Sequence, residues 1–343
     1  MFIGSKEVGK SIVVVAEAGV NHNGDLRRAL RMVDEAASAG ADAIKFQTFV
    51  TERVVSHQAP KAEYQKKASR GKTQFEMLKS LELSRTDFVA ISKRALKRGI
   101  ILLSTPFDCE SVDFLEALGV PAYKVGSGEI TNLPFLEYVA RKGRPVILST
   151  GMSYLEEVRD AVSAIRNQGN NKIILLHCVS SYPADPSDSN LRAMQTLRDT
   201  FDVPVGFSDH SMGTVVALAA AALGAVVIEK HFTFSRKLPG PDQKASLECG
   251  EFAEMVRGIR LVERAQGSPI KAPTGEEQRM QLVARRSIVA SVDICEGQLI
   301  TEDRLDFKRP GTGLSPKELP LLHGRRAARD IKRDEVLTWD MLK

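Results

Sequence analysis

The chain has 343 residues, 43% hydrophobic and 27% charged, with 48 Lys+Arg against 43 Asp+Glu. This length suits two domains, or one large α/β domain with a small companion, and the apolar content excludes a disordered chain or one that needs disulfide staples. A net charge of +5, interleaved in sign, provides no polyanion-binding stripe and directs attention to small anions instead of nucleic acid.

Four cysteines (Cys109, Cys178, Cys249 and Cys295) are scattered without a CxxC pair, as expected of reduced thiols in a cytoplasmic protein. The N-terminal stretch lacks the apolar core and cleavage site of a signal peptide. The longest apolar run, Val215 to Ile228, is too short to span a bilayer and is Ala-rich like a buried helix.

In chain order, short β-branched runs alternate with amphipathic helical patterns, as in βα units around a parallel sheet. The first strand, Ile12–Ala16, ends in Glu17 and a turn at Asn21-His22-Asn23-Gly24, before a helix over Leu26–Ala39. The second, Asp42–Phe46, brings Lys45 and Gln47. After it, Val50 to Lys72 is irregular and carries Lys61, Lys66, Lys67, Arg70 and Lys72, which reads either as an active-site lid or as a solvated excursion. A helix over Arg85–Arg98 leads to Ile100–Ser104 and its end, Ser104-Thr105-Pro106-Phe107. The pattern Ser111–Leu118 precedes Ala122–Val125, which brings Lys124 and then Gly126-Ser127-Gly128-Glu129.

Further along, Leu133–Lys142 is helical, and Val146–Leu148 runs into Ser149-Thr150-Gly151. Leu155–Gln168 precedes Lys172–Leu176, followed by His177, Ser180 and Tyr182. Leu191–Thr200 precedes Val203–Gly206, followed by Ser208-Asp209-His210-Ser211. Thr214–Ala222 precedes Val226–Glu229, which ends in Glu229-Lys230-His231. Gly40, Gly99, Gly119, Gly143 and Gly224 close helices as C-terminal caps. Eight units in about 260 residues predict a (β/α)8 TIM barrel, with an open doubly wound sheet as the alternative.

The domain boundaries follow: a barrel over 1–266, a Pro/Gly/Glu-rich linker over 267–282, and a small domain over 283–343. The tail holds a near-repeat at an offset of 37, in which Asp293-Ile294, Leu299-Ile300-Thr301, Asp303 and Leu305 recur as Asp330-Ile331, Val336-Leu337-Thr338, Asp340 and Leu342. Two copies of a strand-turn-helix unit packed together would form a pseudo-symmetric α/β domain.

In a barrel of this kind, strand ends build the site. Lys45 and Lys124, with the hydroxyls of Thr105, Ser127, Ser149 and Ser208, make a cradle for a phosphate-plus-carboxylate anion, and the Gly-rich turns let backbone N–H groups approach it. Taken singly, either lysine could instead be a barrel ion pair with Glu17, Glu129 or Glu229. His210 and His231, on adjacent strand ends, could share one metal ion, and imidazole with carboxylate and water suits Mn, Fe, Co or Zn. His22 and His177 read as structural.

The segments AEAGVNHNG, IKFQT, STPFD, YKVGSGE, STGM, HCVSSYP, GFSDHS, EKHFT and GPDQKAS, in this order, resemble the sialic acid synthase family, and the tail resembles its antifreeze-like (SAF) domain. The resemblance implies condensation of phosphoenolpyruvate with an N-acetylated hexose, such as N-acetylmannosamine or 2,4-diacetamido-2,4,6-trideoxymannose, to a nonulosonic acid and phosphate. It implies phosphoenolpyruvate binding by Lys45, Thr105, Lys124, Ser127, Ser149 and Ser208, with Ser180 standing where some members carry Asn. It implies a divalent metal, manganese or else Mg or Co, on His210 and His231. Glu17, Gln47 and Asp242 match catalytic polar positions, and Phe107, Glu129, Tyr182 and Glu229 match sugar-handling ones. Arg309 corresponds to an arginine that enters the partner's site in a domain-swapped homodimer. Two rival readings are a Schiff-base pyruvate aldolase using Lys45, Lys124 or Lys230, and a non-enzymatic ice- or carbohydrate-binding protein built on the tail.

Overall fold

A computed structural model describes residues 1–61 and 73–343. Lys66, Lys67, Arg70 and Lys72 of the expected lid therefore lie outside the described residues. The chain divides into two units, Met1–Gly267 and Ser268–Lys343.

In the first unit, eight parallel strands alternate with helices. The strands are β1 (Val13–Gly19), β2 (Ala43–Thr48), β3 (Ile101–Pro106), β4 (Tyr123–Val125), β5 (Val146–Ser149), β6 (Ile173–Cys178), β7 (Val205–Asp209) and β8 (Val227–Thr233). The helices are α1 (Leu26–Ser38), α2 (Arg85–Arg98), α3 (Cys109–Leu118), α4 (Leu133–Ala140), α5 (Leu155–Asn167), α6 (Ala193–Phe201), α7 (Val215–Ala222) and α8 (Cys249–Gln266). Ladder order runs β3-β2-β1-β8-β7-β6-β5-β4, which brings β3 beside β4 and leaves a nearly closed barrel. The open doubly wound alternative is excluded, since β1 pairs with β8.

The strands run further toward their C-terminal ends than their apolar runs suggest. β1 extends to Gly19, β2 to Thr48 and β8 to Thr233. Glu17, Gln47 and His231 have little strand preference of their own, and the neighbouring ladders hold them extended. The helices follow local signals more closely. Ser84 and Asp87 form a capping box at the start of α2, and Gly119, at φ +84°, closes α3 in the left-handed conformation. Helix α8, which the sequence reading did not mark, buries Phe252, Met255, Val256 and Ile259 on one face.

A two-residue period divides each strand. One set, including Val14, Ile44, Tyr123, Leu148, Leu175, Phe207 and Ile228, packs against the surrounding helices. The other set, including Val13, Val15, Ala43, Leu103, Ala122, Ile147, Ile174, Leu176 and Val227, fills the barrel interior. On that inward set the next positions toward the strand ends are Glu17, Lys45, Thr105, Lys124, Ser149, Cys178 and Glu229. The interior is thus apolar at the base and charged above it.

The second unit opens with α9 (Gly275–Ala284), a helix in what the sequence suggested was a linker; a Thr274–Glu277 capping box starts it, and it buries none of its own residues. Antiparallel β9 (Ser287–Ala290) and β10 (Leu305–Lys308) follow. The sequence repeat appears as a pseudo-two-fold axis. Ile294 and Ile331 exchange both backbone hydrogen bonds, at 2.9 and 2.8 Å. Asp330 accepts from the Glu296 N–H while Asp293 accepts from the Arg333 N–H, each at 2.8 Å. The 3-10 turns Glu302–Arg304 and Trp339–Met341 are likewise related by the offset of 37. These turns replace the helices expected in each copy, because a core of Ile288, Ile294, Ile300, Ala327, Ile331 and Leu337 leaves little apolar surface for a helix to cover.

Inside the barrel Gly206 admits no side chain. A Cβ there would stand 2.5 Å from the Val227 carbonyl oxygen and 2.7 Å from Leu176 Cδ2. Gly206→Ala is therefore expected to destabilise the barrel by about 1–3 kcal/mol, read as a lower urea midpoint at unchanged slope. An unchanged midpoint would show that the interior relaxes freely at this point.

Candidate active site

The inward side chains at the strand ends line a cavity of about 380 Å³. Its floor is a buried quartet of charges. Lys45 Nζ stands 2.7 Å from Glu17 Oε2 and 3.9 Å from Glu229 Oε2, and Lys124 Nζ stands 3.6 Å from Glu229 Oε1. No side chain in this group is more than 7% exposed. Hydroxyls complete the floor: Lys45 donates to Thr105 Oγ1 at 3.0 Å, Lys124 donates to Ser149 Oγ at 2.7 Å, and Ser208 donates to Glu229 Oε1 at 3.0 Å. The two lysines are thus barrel ion pairs and cavity cations at once.

Burial and pairing act on these groups in opposite directions. Burial pushes the Glu17 carboxyl up to about 7, against the pull of Lys45. At Glu229 burial also opposes the charge, but Lys124 and Lys45 outweigh it and hold the carboxyl down at about 2. Burial works against the Lys45 ammonium as well, yet Glu17 and Glu229 keep it above its ordinary value. Lys124 has weaker compensation, and burial pulls it below.

Beside the quartet stand His210 and His231, with ring centroids 5.7 Å apart. Burial lowers His210, and burial, with His210 and then Lys45 beside it, lowers His231 well below its ordinary value, so both rings are neutral at pH 7. His210 Nδ1 faces the Val179 carbonyl at 2.7 Å. A carbonyl only accepts, so Nδ1 carries the proton and Nε2 presents a lone pair. His231 Nδ1 is buried without a hydrogen-bond partner among the described residues. Two neutral imidazoles, one oriented through a backbone carbonyl and one with an orphaned nitrogen, fit a divalent metal ion. No group of three or more His, Cys, Asp or Glu arranged for a metal occurs among the described residues. Tyr182 covers the pair, 4.2 Å from the His210 ring and edge-on to His231 at 5.8 Å.

Asp242 comes from the loop after β8. That loop is pinned to the β1–α1 turn: Asn21 Nδ2 donates to the Phe232 carbonyl and to Ser246 Oγ, Gln243 Nε2 donates to the Asn21 carbonyl, and Ser246 Oγ donates to the Asp242 carbonyl. A Cβ on Gly19 would lie 3.2 Å from Glu17 Oε1, 3.3 Å from His231 Cε1 and 3.5 Å from Asp242 Oδ2, so all three groups converge on that glycine. Burial raises the Asp242 carboxyl to about 6. Asp242 lines a smaller side cavity, which shares Gln47, Tyr182 and His231 with the main one.

Of the residues singled out from sequence, Glu17, Lys45, Gln47, Thr105, Phe107, Lys124, Ser127, Ser149, Ser180, Tyr182, Ser208, His210, Glu229 and His231 line the main cavity. Glu229 sits between the lysines, because its strand position points it at the quartet. Glu129 is not brought to the cavity; the 3-10 turn Ser127–Glu129 carries its carboxylate toward Asn132 Nδ2, 2.7 Å away. Arg309 belongs to the second unit, where it is exposed in the segment after β10. Lys230 faces away, bound to Asp209 at 2.7 Å and to the Ser211 carbonyl, which removes it as a Schiff-base amine. His22 and His177 are occupied structurally, by the Gly24 N–H and the Ser189 carbonyl.

Cys178 and Met152 also line the cavity and were not singled out. The two-residue period from Leu176 would have marked Cys178. Its Sγ lies 3.3 Å from Ser127 Oγ, which accepts from the Gly151 N–H at 2.9 Å. A Cβ at Gly151 would stand 2.9 Å from Ser127 Oγ and 3.0 Å from Cys178 Sγ, and nearer still to Ser180 Oγ, so only glycine lets these groups meet.

The chain resembles known proteins along most of its length. Residues 32–271 match the NeuB family and residues 285–343 match the SAF domain. The chain is 45% identical to the N,N'-diacetyllegionaminic acid synthase of Legionella pneumophila, over 99% of this chain and 98% of that protein. It is 38% identical to the human N-acetylneuraminate-9-phosphate synthase, over 96% of this chain and 92% of the other. Among solved structures it superposes on the N-acetylneuraminic acid synthetase of Leptospira borgpetersenii, determined with citrate, at 37% identity and a TM-score of 0.74, covering 82% of this chain and 94% of that one. No helix among the described residues is long and apolar enough to cross a membrane.

The raised carboxyl of Asp242 has a stability consequence. Its contribution is complete below about pH 4, where folded and unfolded forms are both protonated, and is lost as the pH rises to about 6, since the unfolded chain ionises first. In metal-free buffer, Asp242→Asn is expected to raise the Tm at pH 7.5 by an amount on the order of 2–3 kcal/mol of stability, and to do little at about pH 4. An effect of equal size at both pH values would refute the assignment.

Proposed function

The chain belongs to the NeuB family and carries a SAF domain, and on that premise we propose that it condenses phosphoenolpyruvate with an open-chain N-acetylated hexose to give a nonulosonic acid and phosphate. The observation that carries this reading is the gathering of Lys45, Lys124 and four hydroxyls in one cavity, beside two neutral histidines. Two buried cations and several neutral donors suit a molecule that carries both phosphate and carboxylate.

In this reading the anion takes over pairing from the internal carboxylates. Lys45 and Lys124 turn from Glu17 and Glu229 toward its oxygens, with Thr105, Ser127, Ser149 and Ser208 as further donors. The anion's C3 attacks the sugar aldehyde carbon, so no side chain acts as nucleophile. Water then adds at C2, and the C2–O bond to phosphate breaks to leave the keto acid. Glu17 is held near pH 7 and hydrogen-bonded at 3.4 Å by Gln47 Nε2; it is suited to take the proton of that water. Asp242 and Tyr182 face the acceptor beside the histidines. A divalent metal held by His210 and His231, with manganese as the expected ion, would supply Lewis acidity at the aldehyde oxygen.

Phosphate release from phosphoenolpyruvate, measured against a panel of acetamido sugars with manganese present, tests the reading. EDTA is expected to abolish turnover and manganese to restore it; full activity without metal would refute the histidine assignment. Lys45→Ala is expected to raise the KM for phosphoenolpyruvate about tenfold or more, consistent with loss of a charge-assisted bond, while the sugar's KM changes little. Borohydride trapping with pyruvate would instead favour a Schiff-base aldolase at Lys45 or Lys124.

The same reading includes a homodimer in which Arg309 of one protomer completes the site of the other. Arg309→Ala is then expected to be nearly inactive alone, and Lys45→Ala to turn over slowly at phosphoenolpyruvate concentrations well below its raised KM. When co-expressed, they should regain turnover, because a mixed dimer holds one site with both groups intact. Co-expressed variants that stay inactive would place the arginine outside the partner's site.

A further inference from the structure

On β7 and β8 the helix-facing positions are mostly apolar: Val205 and Phe207 on one strand, Ile228 and Phe232 on the other, belong to the core between barrel and helices. Two charges interrupt this layer. Asp209 and Lys230 are register partners, and Lys230 Nζ donates to Asp209 Oδ2 at 2.7 Å, with neither side chain more than 1% exposed. Neither residue lines the active-site cavity. Each immediately precedes a strand-end histidine, Asp209 before His210 and Lys230 before His231.

The pair ties down the tip that carries His210. Ser211 donates to Asp209 Oδ1 through its N–H at 2.8 Å and its hydroxyl at 2.7 Å, while Lys230 Nζ also donates to the Ser211 carbonyl. Lys230 on β8 thus grips the residues on both sides of His210. The ladder between β7 and β8 runs from Phe207–Ile228 to Asp209–Lys230 and goes no further. The two histidines stand one residue beyond that last rung, with their rings 5.7 Å apart. Side-chain bonds from Lys230 take over where the ladder ends. Stability alone does not account for such a pair, since apolar residues of similar volume often serve a buried position as well as an ion pair does. Phe207, Ile228 and Phe232 fill the neighbouring positions in that way. Directional bonds to a carboxylate and a carbonyl do what apolar contacts do not: they hold one strand end to the next at a fixed place.

Resting on the assignment of a divalent ion to His210 and His231 above, we propose that Asp209 and Lys230 are positioning residues for that ion: their buried pair holds the two histidines in place for it without touching it. Groups that orient metal ligands from outside the coordination sphere change metal affinity by about 10–100-fold. The anion cradle depends less on the pair, because Lys45, Thr105, Lys124 and Ser149 stand on β2, β3, β4 and β5.

The test is the Mn2+ affinity of the full-length protein, titrated by calorimetry without phosphoenolpyruvate or sugar. It compares wild type, His210→Ala, and a double variant that joins Asp209→Asn with Lys230→Met. The double variant strands no buried charge and keeps an acceptor for Ser211, so its Tm should stay close to that of wild type. It is expected to bind Mn2+ about tenfold or more weakly, while phosphoenolpyruvate affinity in metal-free buffer falls far less. Should it not fold, Asp209→Glu keeps both charges, lengthens the link by one methylene, and should weaken Mn2+ binding likewise. Mn2+ affinity that is unchanged in the variant used, or weakened only as much as phosphoenolpyruvate affinity, overturns the proposal. Wild-type protein that binds Mn2+ no better than His210→Ala refutes the histidine assignment itself, and this proposal falls with it.

Discussion

The ion pair between Lys45 and Glu17, extended through Glu229 to Lys124, is the interaction on which the site depends. Two ammonium groups and two carboxylates buried in a barrel carry a desolvation cost that only mutual pairing offsets. The apolar layer of Val13, Ala43, Leu103, Ile147, Ile174 and Val227 beneath them lowers the local dielectric, which strengthens each pairing and makes an unpaired member costly. Removing any one charge would leave its neighbour stranded. The same arrangement holds the lysines in place. Under the proposed function, structural pairing and anion binding are two states of one set of side chains.

The histidines depend on the opposite balance. Burial keeps both rings neutral, the Val179 carbonyl fixes the tautomer of His210, and the Tyr182 ring shields the pair. Their separation from Lys45 and Lys124 follows from strand position: the lysines sit one inward step below the strand ends, while His210 and His231 stand at the rim. Asp242 belongs to neither layer. It reaches the rim because the Asn21, Gln243 and Ser246 hydrogen bonds tie its loop to the adjacent β1–α1 turn.

The second unit shows how duplication replaces size. Two short copies lack enough apolar surface to fold separately, and each completes the other through reciprocal backbone bonds at Ile294 and Ile331 and reciprocal aspartate caps at Asp293 and Asp330. The offset of 37 was visible as a sequence repeat. The replacement of the expected helices by 3-10 turns was not, because local propensity does not report how little core remains to be covered.

The sequence by itself determined the βα alternation, the helix limits set by Ser84, Asp87 and Gly119, and the identity of the polar strand ends, since these depend on residues close together in the chain. A strict period of two from the apolar interior also carries Glu17, Lys45, Lys124 and His231 to the inner face, and would have carried Cys178 there. Only the tertiary structure decided which charges meet. Glu229 joined Lys45 and Lys124, Lys230 was taken by Asp209 on the neighbouring strand, and Met77 and Leu81 came to wall a cavity beside His231. Those outcomes depend on barrel closure and on loops folding back across it. Contacts between different strands and loops are selected by packing and desolvation over the whole chain, which no local pattern of residues records.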